Sequence, residues 1–113
     1  GTFHYDEGFY YFRNLGNRVL LGGARNLDFK GEETGEMSTS DNIQNHLEDF
    51  LRKVILPTQD FTITNRWSGI MAMGAEKSPV VEKLSQRKIC AVRLSGMGVA
   101  LAPKIGEIVA ELI

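Results

Sequence analysis

The residues best suited to chemistry form a glycine-flanked turn near the end of the chain, Ser95-Gly96-Met97-Gly98, which runs directly into an apolar stretch. Two glycines around one residue allow backbone N–H groups to approach a ligand without interference from a Cβ atom. A helix behind such a turn adds the partial positive charge of its N-terminus. The segment is suited to an anionic or electron-rich ligand, although the same pattern also occurs where a chain only turns tightly.

A complete dinucleotide-binding fingerprint is absent. That fingerprint is Gly-x-Gly-x-x-Gly between a strand and a helix, with an acidic residue about 20 positions later. Here Gly96-Met97-Gly98 continues as Val99-Ala100-Leu101, so the third small residue is missing. The turn alone therefore predicts only part of a cofactor site.

The sequence does not contain the residue patterns of a zinc site, a catalytic triad or a calcium loop. His4 and His46 stand alone, outside any zinc spacing or catalytic triad. Ser68 and Ser95 have no partnered base, and Gly-x-Ser-x-Gly does not occur. The acidic stretch 26–41 lacks the regular oxygen spacing of a calcium loop. No metal site is predicted, and no catalytic acid or base is identified.

Four segments occur in an order that resembles the C-terminal part of the FAD-dependent oxidoreductases of the D-amino acid oxidase and glycine oxidase family. They are Tyr10-Tyr11-Phe12-Arg13, then Arg18-Val19-Leu20-Leu21-Gly22-Gly23-Ala24-Arg25, then Arg66-Trp67-Ser68-Gly69-Ile70-Met71, then Ser95-Gly96-Met97-Gly98 with Ala102-Pro103 and Gly106. The resemblance implies oxidation of a C–N bond of an amine or amino acid by hydride transfer to flavin. It also implies that the chain is a C-terminal fragment, inactive and without tightly bound FAD when isolated.

The resemblance assigns two functional regions. Residues 1–94 would be a portion of the substrate (cap) domain with an antiparallel sheet, and residues 95–113 the last flavin-contacting turn and C-terminal helix. The N-terminal dinucleotide-binding part would lie outside this chain. Carried over by motif, the flavin contacts would be Gly96, Met97, Gly98, Val99 and Ala100.

The substrate site departs from the family's pattern. Amino-acid-oxidising members place an arginine and a proline after Trp-x-Gly to bind the substrate carboxylate, whereas this chain has Met71 and Ala72. A thioether cannot replace a bidentate guanidinium. Arg25 and Arg93 rank ahead of Arg66 as substitutes, because both adjoin glycine-rich turns that the family places near its active site. The candidate substrate-binding residues are therefore Arg25, Arg93 and Met71.

Composition narrows the function class. A chain of 113 residues is enough for one compact domain. A net charge of −1 and a pI near 6.1 disfavour binding to nucleic acid or an anionic membrane. The lone Cys90 and the absence of a long apolar run favour a reducing, cytoplasmic setting without a membrane anchor.

A second hypothesis is a stand-alone α+β interaction domain that forms a homodimer and in which the glycine turn is structural. Self-association is expected under both hypotheses, because the isolated fragment would expose surface that the dinucleotide-binding domain normally covers. An upstream in-frame Gly-x-Gly-x-x-Gly would favour the flavoenzyme.

These residues must be positioned by an α+β fold with a mainly antiparallel sheet, one packed amphipathic helix and a C-terminal helix. Hydrophobic alternation and turn residues predict strands at 8–13, 18–24, 61–67 and 89–94, with the charged stretch 82–88 bounding the last. Helical spacing predicts a helix from a cap at Ser40 or Asp41 to just before Pro57, packed on the sheet. The C-terminal helix should begin close behind Gly98, with Pro103 in its first turn.

Overall fold

The computed structural model describes all 113 residues and divides the chain into two compact units, Gly1–Gly69 and Ile70–Ile113. The α+β prediction is confirmed, because the chain forms two small antiparallel sheets and two α-helices. The expected single compact domain is replaced by two units, each with its own sheet and helix. Neither helix combines the length and the apolar character that crossing a bilayer requires.

The first unit contains a three-stranded sheet in the order β1-β2-β3, formed by Thr2–Tyr5, Tyr10–Leu15 and Arg18–Gly23. The predicted hairpin is confirmed as β2 and β3, joined by the two-residue turn Gly16-Asn17. Gly16 has φ +61°, which a glycine adopts without strain. Strand β1 was not predicted from the sequence, and it pairs antiparallel with β2.

Helix α1 spans Asp41–Phe50 and continues as a wider π-type turn over Leu51–Ile55. The Ser40 hydroxyl caps it by accepting from the N–H of Ile43 at 3.4 Å. The helical segment ends before Pro57, as predicted, because the residue before a proline is disfavoured in the α region.

Helix α1 packs on the sheet through aromatic contacts. The Phe50 ring stacks on Tyr10 with centroids 4.6 Å apart and lies 5.0 Å from the Tyr5 ring. The buried side chains around this contact are Tyr10, Ala24 and Ile43. The prediction that this helix covers one face of the sheet is confirmed.

The strand predicted at 61–67 is wrong. Apolar and polar residues alternate over 61–67, but this segment pairs with no strand. The segment instead contacts α1 and its π-type turn through side chains. The Arg52 guanidinium lies 4.8 Å from the centre of the Phe61 ring, and Arg66 forms an ion pair with Glu48. Alternating apolar residues indicate a segment with one buried face. Such a segment forms a β-strand only when a neighbouring strand accepts and donates its backbone hydrogen bonds.

The second unit is a hairpin covered by a helix. Strands β4 (Val80–Ser85) and β5 (Lys88–Val92) pair antiparallel, and helix α2 (Gly98–Glu111) packs on both. The predicted last strand is confirmed as β5. The charged stretch expected to bound it is instead largely β4, whose Glu82 and Lys83 lie on an exposed strand.

Helix α2 begins at Gly98, as predicted, but the placement of Pro103 was wrong. Pro103 is the sixth residue of the helix, beyond the first turn. Proline has no N–H, so the carbonyl of Val99 loses its partner four residues later. The first turn of α2 is therefore held to the body of the helix by fewer hydrogen bonds than usual.

Candidate functional site: the glycine turn of the second unit

The connection between β5 and α2, residues 93–98 and hereafter the glycine turn, is built from unusual backbone conformations. Arg93, Ser95 and Gly96 have φ of +60°, +50° and +81°. A residue with a Cβ atom loses about 1–2 kcal/mol in this left-handed region, so only Gly96 occupies it without strain. A hydrogen bond from the Met97 N–H to the Leu94 carbonyl, 2.8 Å long, closes the turn.

The turn leaves backbone donors free at the start of α2. The Met97 carbonyl accepts from the N–H groups of Ala100 and Leu101, at 3.1 and 3.0 Å. The N–H groups of Gly98 and Val99 have no acceptor in the chain, and the Met97 side chain provides no cap. Because helix N-termini are electropositive, these two donors are available to an anionic or electron-rich group.

The residues on either side of Gly98 are exposed, and Gly98 itself is half-buried. The side chain of Val99 is 97% exposed and that of Met97 is 56% exposed. A Cβ atom added at Gly98 would meet only the Leu94 side chain, with Cδ1 at 3.6 Å and Cβ at 4.0 Å, both ordinary contacts. Nothing within the chain therefore requires glycine at position 98, which fits a position that a ligand approaches closely.

Met71 lies directly on the turn. Its sulfur is 3.2 Å from the point where a Cβ atom of Gly96 would stand. Of the three residues predicted to bind substrate, Arg93 is the first residue of the glycine turn and Met71 is in contact with it. The thioether presents a polarisable, uncharged group there.

Arg93 is engaged by protein groups. Its Nε donates to the Ser78 carbonyl at 2.9 Å, and its guanidinium lies 3.9 Å from the Glu76 carboxylate. Its aliphatic stem covers Gly74, where an added Cβ would come within 2.6 Å of the Arg93 Cδ atom. Arg93 therefore has an internal role that the sequence prediction did not include.

Arg25 belongs to the first unit and has different surroundings. Its guanidinium carbon lies 5.5 Å from the centre of the Phe9 ring and 5.6 Å from that of Phe29. The guanidinium donates no hydrogen bond to the protein and has no carboxylate within ion-pair distance. Two aromatic rings thus hold a charged, half-buried group whose donors are unused.

The backbone before Arg25 is also constrained. Gly23 has φ +119°, and a Cβ atom there would lie 1.9 Å from the Phe9 carbonyl oxygen, so no other residue fits. Ala24 is fully buried with φ +66°. This rigid pair fixes the direction in which the chain presents Arg25.

Sequence reasoning missed the residues that surround the two arginines. Phe9 and Phe29 are twenty positions apart, and Gly74, Glu76 and Ser78 precede Arg93 by fifteen or more. No local spacing connects such positions. The one available signal was Gly74 itself, an isolated glycine outside any predicted turn.

A known protein family matches almost the whole chain. Residues 2–112 match the family model described as "DAO: FAD dependent oxidoreductase". No curated protein and no solved structure gives a significant match. The match covers almost the whole chain, including both arginines and the glycine turn. This chain belongs to the DAO family of FAD-dependent oxidoreductases.

Proposed function

We propose that this chain is the C-terminal, flavin-contacting part of an enzyme that oxidises a C–N bond of a small amine or amino acid. The observation that carries the proposal is the pair of N–H groups of Gly98 and Val99 that have no acceptor at the start of α2, in a member of an FAD-dependent family. The dinucleotide fingerprint does not occur among these 113 residues, so the proposal assigns it to another part of the protein.

The glycine turn fits the electron-rich edge of a flavin. Bound FAD would supply the hydride acceptor for the oxidation. The N–H groups of Gly98 and Val99 would donate to that edge, where reduction increases the negative charge. Such fixed donors at a helix N-terminus stabilise developing charge without reorganising during the reaction. Met97 and Ala100 would flank them, and Gly96 would keep the approach free of a side chain.

Arg25 is the stronger candidate for binding an anionic group of the substrate. Its donors are unused, whereas those of Arg93 bind Ser78 and face Glu76. Cation–π contacts with Phe9 and Phe29 restrict the guanidinium, so less conformational entropy is lost when it binds a carboxylate. We therefore propose that Arg25 binds the carboxylate of an amino acid substrate.

The test is substrate-dependent bleaching of the bound flavin in the full-length protein, followed anaerobically with amino acids and with the matching amines that lack a carboxylate. The Arg25→Ala variant should bind the amino acid about 10- to 100-fold more weakly, the loss expected for a hydrogen-bonded charge pair. The same variant should bind the matching amine as the natural protein does.

Arg87→Ala is the control, because Arg87 lies in the β4–β5 turn and its side chain forms no hydrogen bond or ion pair. It should leave both substrates unaffected. Equal weakening of amino acid and amine by Arg25→Ala would contradict carboxylate binding, and a flavin that no amine or amino acid reduces would contradict the proposed reaction.

A further inference from the structure

Segment 71–78 runs antiparallel to the glycine turn, beyond the end of the hairpin. The β4–β5 ladder ends where Val80 faces Val92. Further along, Ser78 and Gly74 contact Arg93, and Met71 contacts Gly96. Beyond the last backbone-paired residues, the two segments are therefore held together by side-chain contacts.

Arg93 marks the point of this change. With φ +60° it cannot continue β5, since a strand requires negative φ. Its side chain instead bridges to the facing segment, through the Nε bond to the Ser78 carbonyl. The acceptor is a backbone group, so the bridge does not depend on the identity of the residue at position 78.

Gly74 makes room for the bridge. An added Cβ atom would lie 2.6 Å from Cδ of Arg93, closer than real Cβ contacts, and 3.0 Å from its Nη1 atom, tighter than most of them. The Arg93 side chain is only 25% exposed in this position. A side chain at 74 would therefore displace the guanidinium from Ser78.

We propose that Arg93 is a positioning residue, not a substrate ligand: by holding Gly74 and Ser78 it keeps Met71 seated on Gly96 and so fixes the orientation of the glycine turn. The effect on the cofactor rests on the proposed function, because it is exerted through the N–H groups of Gly98 and Val99. The seating of Met71 does not rest on it.

The first measurement is the methyl resonance of Met71 in full-length protein labelled with ¹³C-methyl methionine. The sequence contains four methionines, and Met71→Leu assigns the signal by removing it. Arg93→Ala and Gly74→Ala should both move this signal toward its position in unfolded protein. The double variant should give the same shift as either single variant, because each removes the same bridge.

Ser78→Ala is the matched control, because it keeps the carbonyl that Arg93 binds. Glu76→Gln is a second control, since Glu76 is 82% exposed and its contact with Arg93 is long. Both should leave the Met71 signal in place. An unmoved signal in Arg93→Ala or Gly74→Ala, or additive shifts in the double variant, would overturn the bridge.

The second measurement is flavin binding by the same variants. Arg93→Ala, Arg93→Lys and Gly74→Ala should each raise the flavin dissociation constant about tenfold, the factor given by losing one charge-assisted hydrogen bond. Lysine does not rescue, because it has no Nε–H at the required place. A lower melting temperature with unchanged flavin affinity and spectrum would overturn the positioning role.

The two proposals fail in different ways. A natural full-length protein without flavin would contradict the proposed function and the effect of Arg93 on a cofactor, while the Met71 resonance would still decide the bridge. If the protein binds flavin but the Met71 signal does not change in Arg93→Ala and Gly74→Ala, the bridge would be contradicted and the proposed function would be unaffected.

Discussion

At the scale of single residues, two arginines with similar sequence neighbours have different surroundings in the structure. Arg25 and Arg93 both adjoin glycine-rich turns, and both were predicted to bind substrate. Arg93 donates a hydrogen bond to a backbone carbonyl, whereas Arg25 makes cation–π contacts with two phenylalanine rings and its donors are unused. The difference depends on residues distant in sequence, which is why spacing could rank the two arginines together but not distinguish them.

Tyr10 predicts a specific dependence of stability on pH. Burial raises the pKa of its phenol, and the nearby Asp6 carboxylate and Tyr5 raise it further. A raised pKa in the folded state means that the neutral phenol stabilises the fold at a pH below the unfolded value of about 10. That stability is lost as the pH rises through the folded pKa.

The check is the free energy of unfolding from pH 8 to pH 11 for the natural chain and Tyr10→Phe. The natural chain should lose more stability over this range, because phenylalanine has no proton to release. Tyr11→Phe, at a half-exposed position on the opposite face of β2, should behave as the natural chain. Parallel curves for the natural chain and Tyr10→Phe would refute the explanation.

At the scale of elements, the sequence predicts those whose signals are local. The β2–β3 hairpin follows from two β-prone runs around a glycine turn, and α1 from its apolar spacing, serine cap and following proline. The prediction of a strand at 61–67 was wrong because strand pairing depends on residues distant in sequence. Strand β4 was missed because its charged residues face solvent. The start of α2 was predicted from the same glycines that form the candidate site.

Pro103 should limit the stability of α2. It lies inside the helix, where it removes one hydrogen bond and its ring crowds the carbonyl of Val99. Pro103→Ala should therefore raise the free energy of unfolding by roughly 1–3 kcal/mol. Chemical denaturation measures this directly.

Gly106→Ala provides the comparison within the same helix. An added Cβ at Gly106 meets no atom within 4 Å, so this variant should gain only the helix propensity of alanine, about 0.5–1 kcal/mol. If Pro103→Ala gained no more than Gly106→Ala, the missing hydrogen bond would not be a significant defect of α2.

For the whole molecule, the decisive quantity is the surface left in water. The chain exposes 8951 Å². A folded monomer of 12.6 kDa should expose about 6,200 Å², and even two separate domains of half that mass about 7,500 Å². Only Tyr10, Ala24 and Ile43 form the buried hydrophobic core. The excess surface supports the proposal that further protein covers these two units.

The isolated chain should therefore self-associate. One exposed stripe of α2 carries no charge and runs through Val99, Ala102, Gly106 and Ala110 toward Ile113. Light scattering should give a molar mass that rises with concentration above 12.6 kDa. Ile113→Glu, which places a charge at the end of this stripe, should shift the mass toward the monomer.

Lys104→Gln is the matched control, because it changes the net charge by the same amount on the charged face of α2. It should leave association unchanged. A constant monomeric mass of the natural chain at high concentration would contradict the prediction.

The most direct test of the flavin proposal is the amount of flavin bound by the full-length protein and by its Gly98→Val variant, with Gly35→Val as control. The natural protein and the control should each carry about one flavin per chain, because Gly35 has an exposed position with no neighbour within 4 Å. Gly98→Val should lose flavin or change its absorption spectrum, since the added side chain would stand beside the free N–H groups. A colourless natural protein, or a Gly98→Val variant with unchanged flavin content and spectrum, would contradict the assignment.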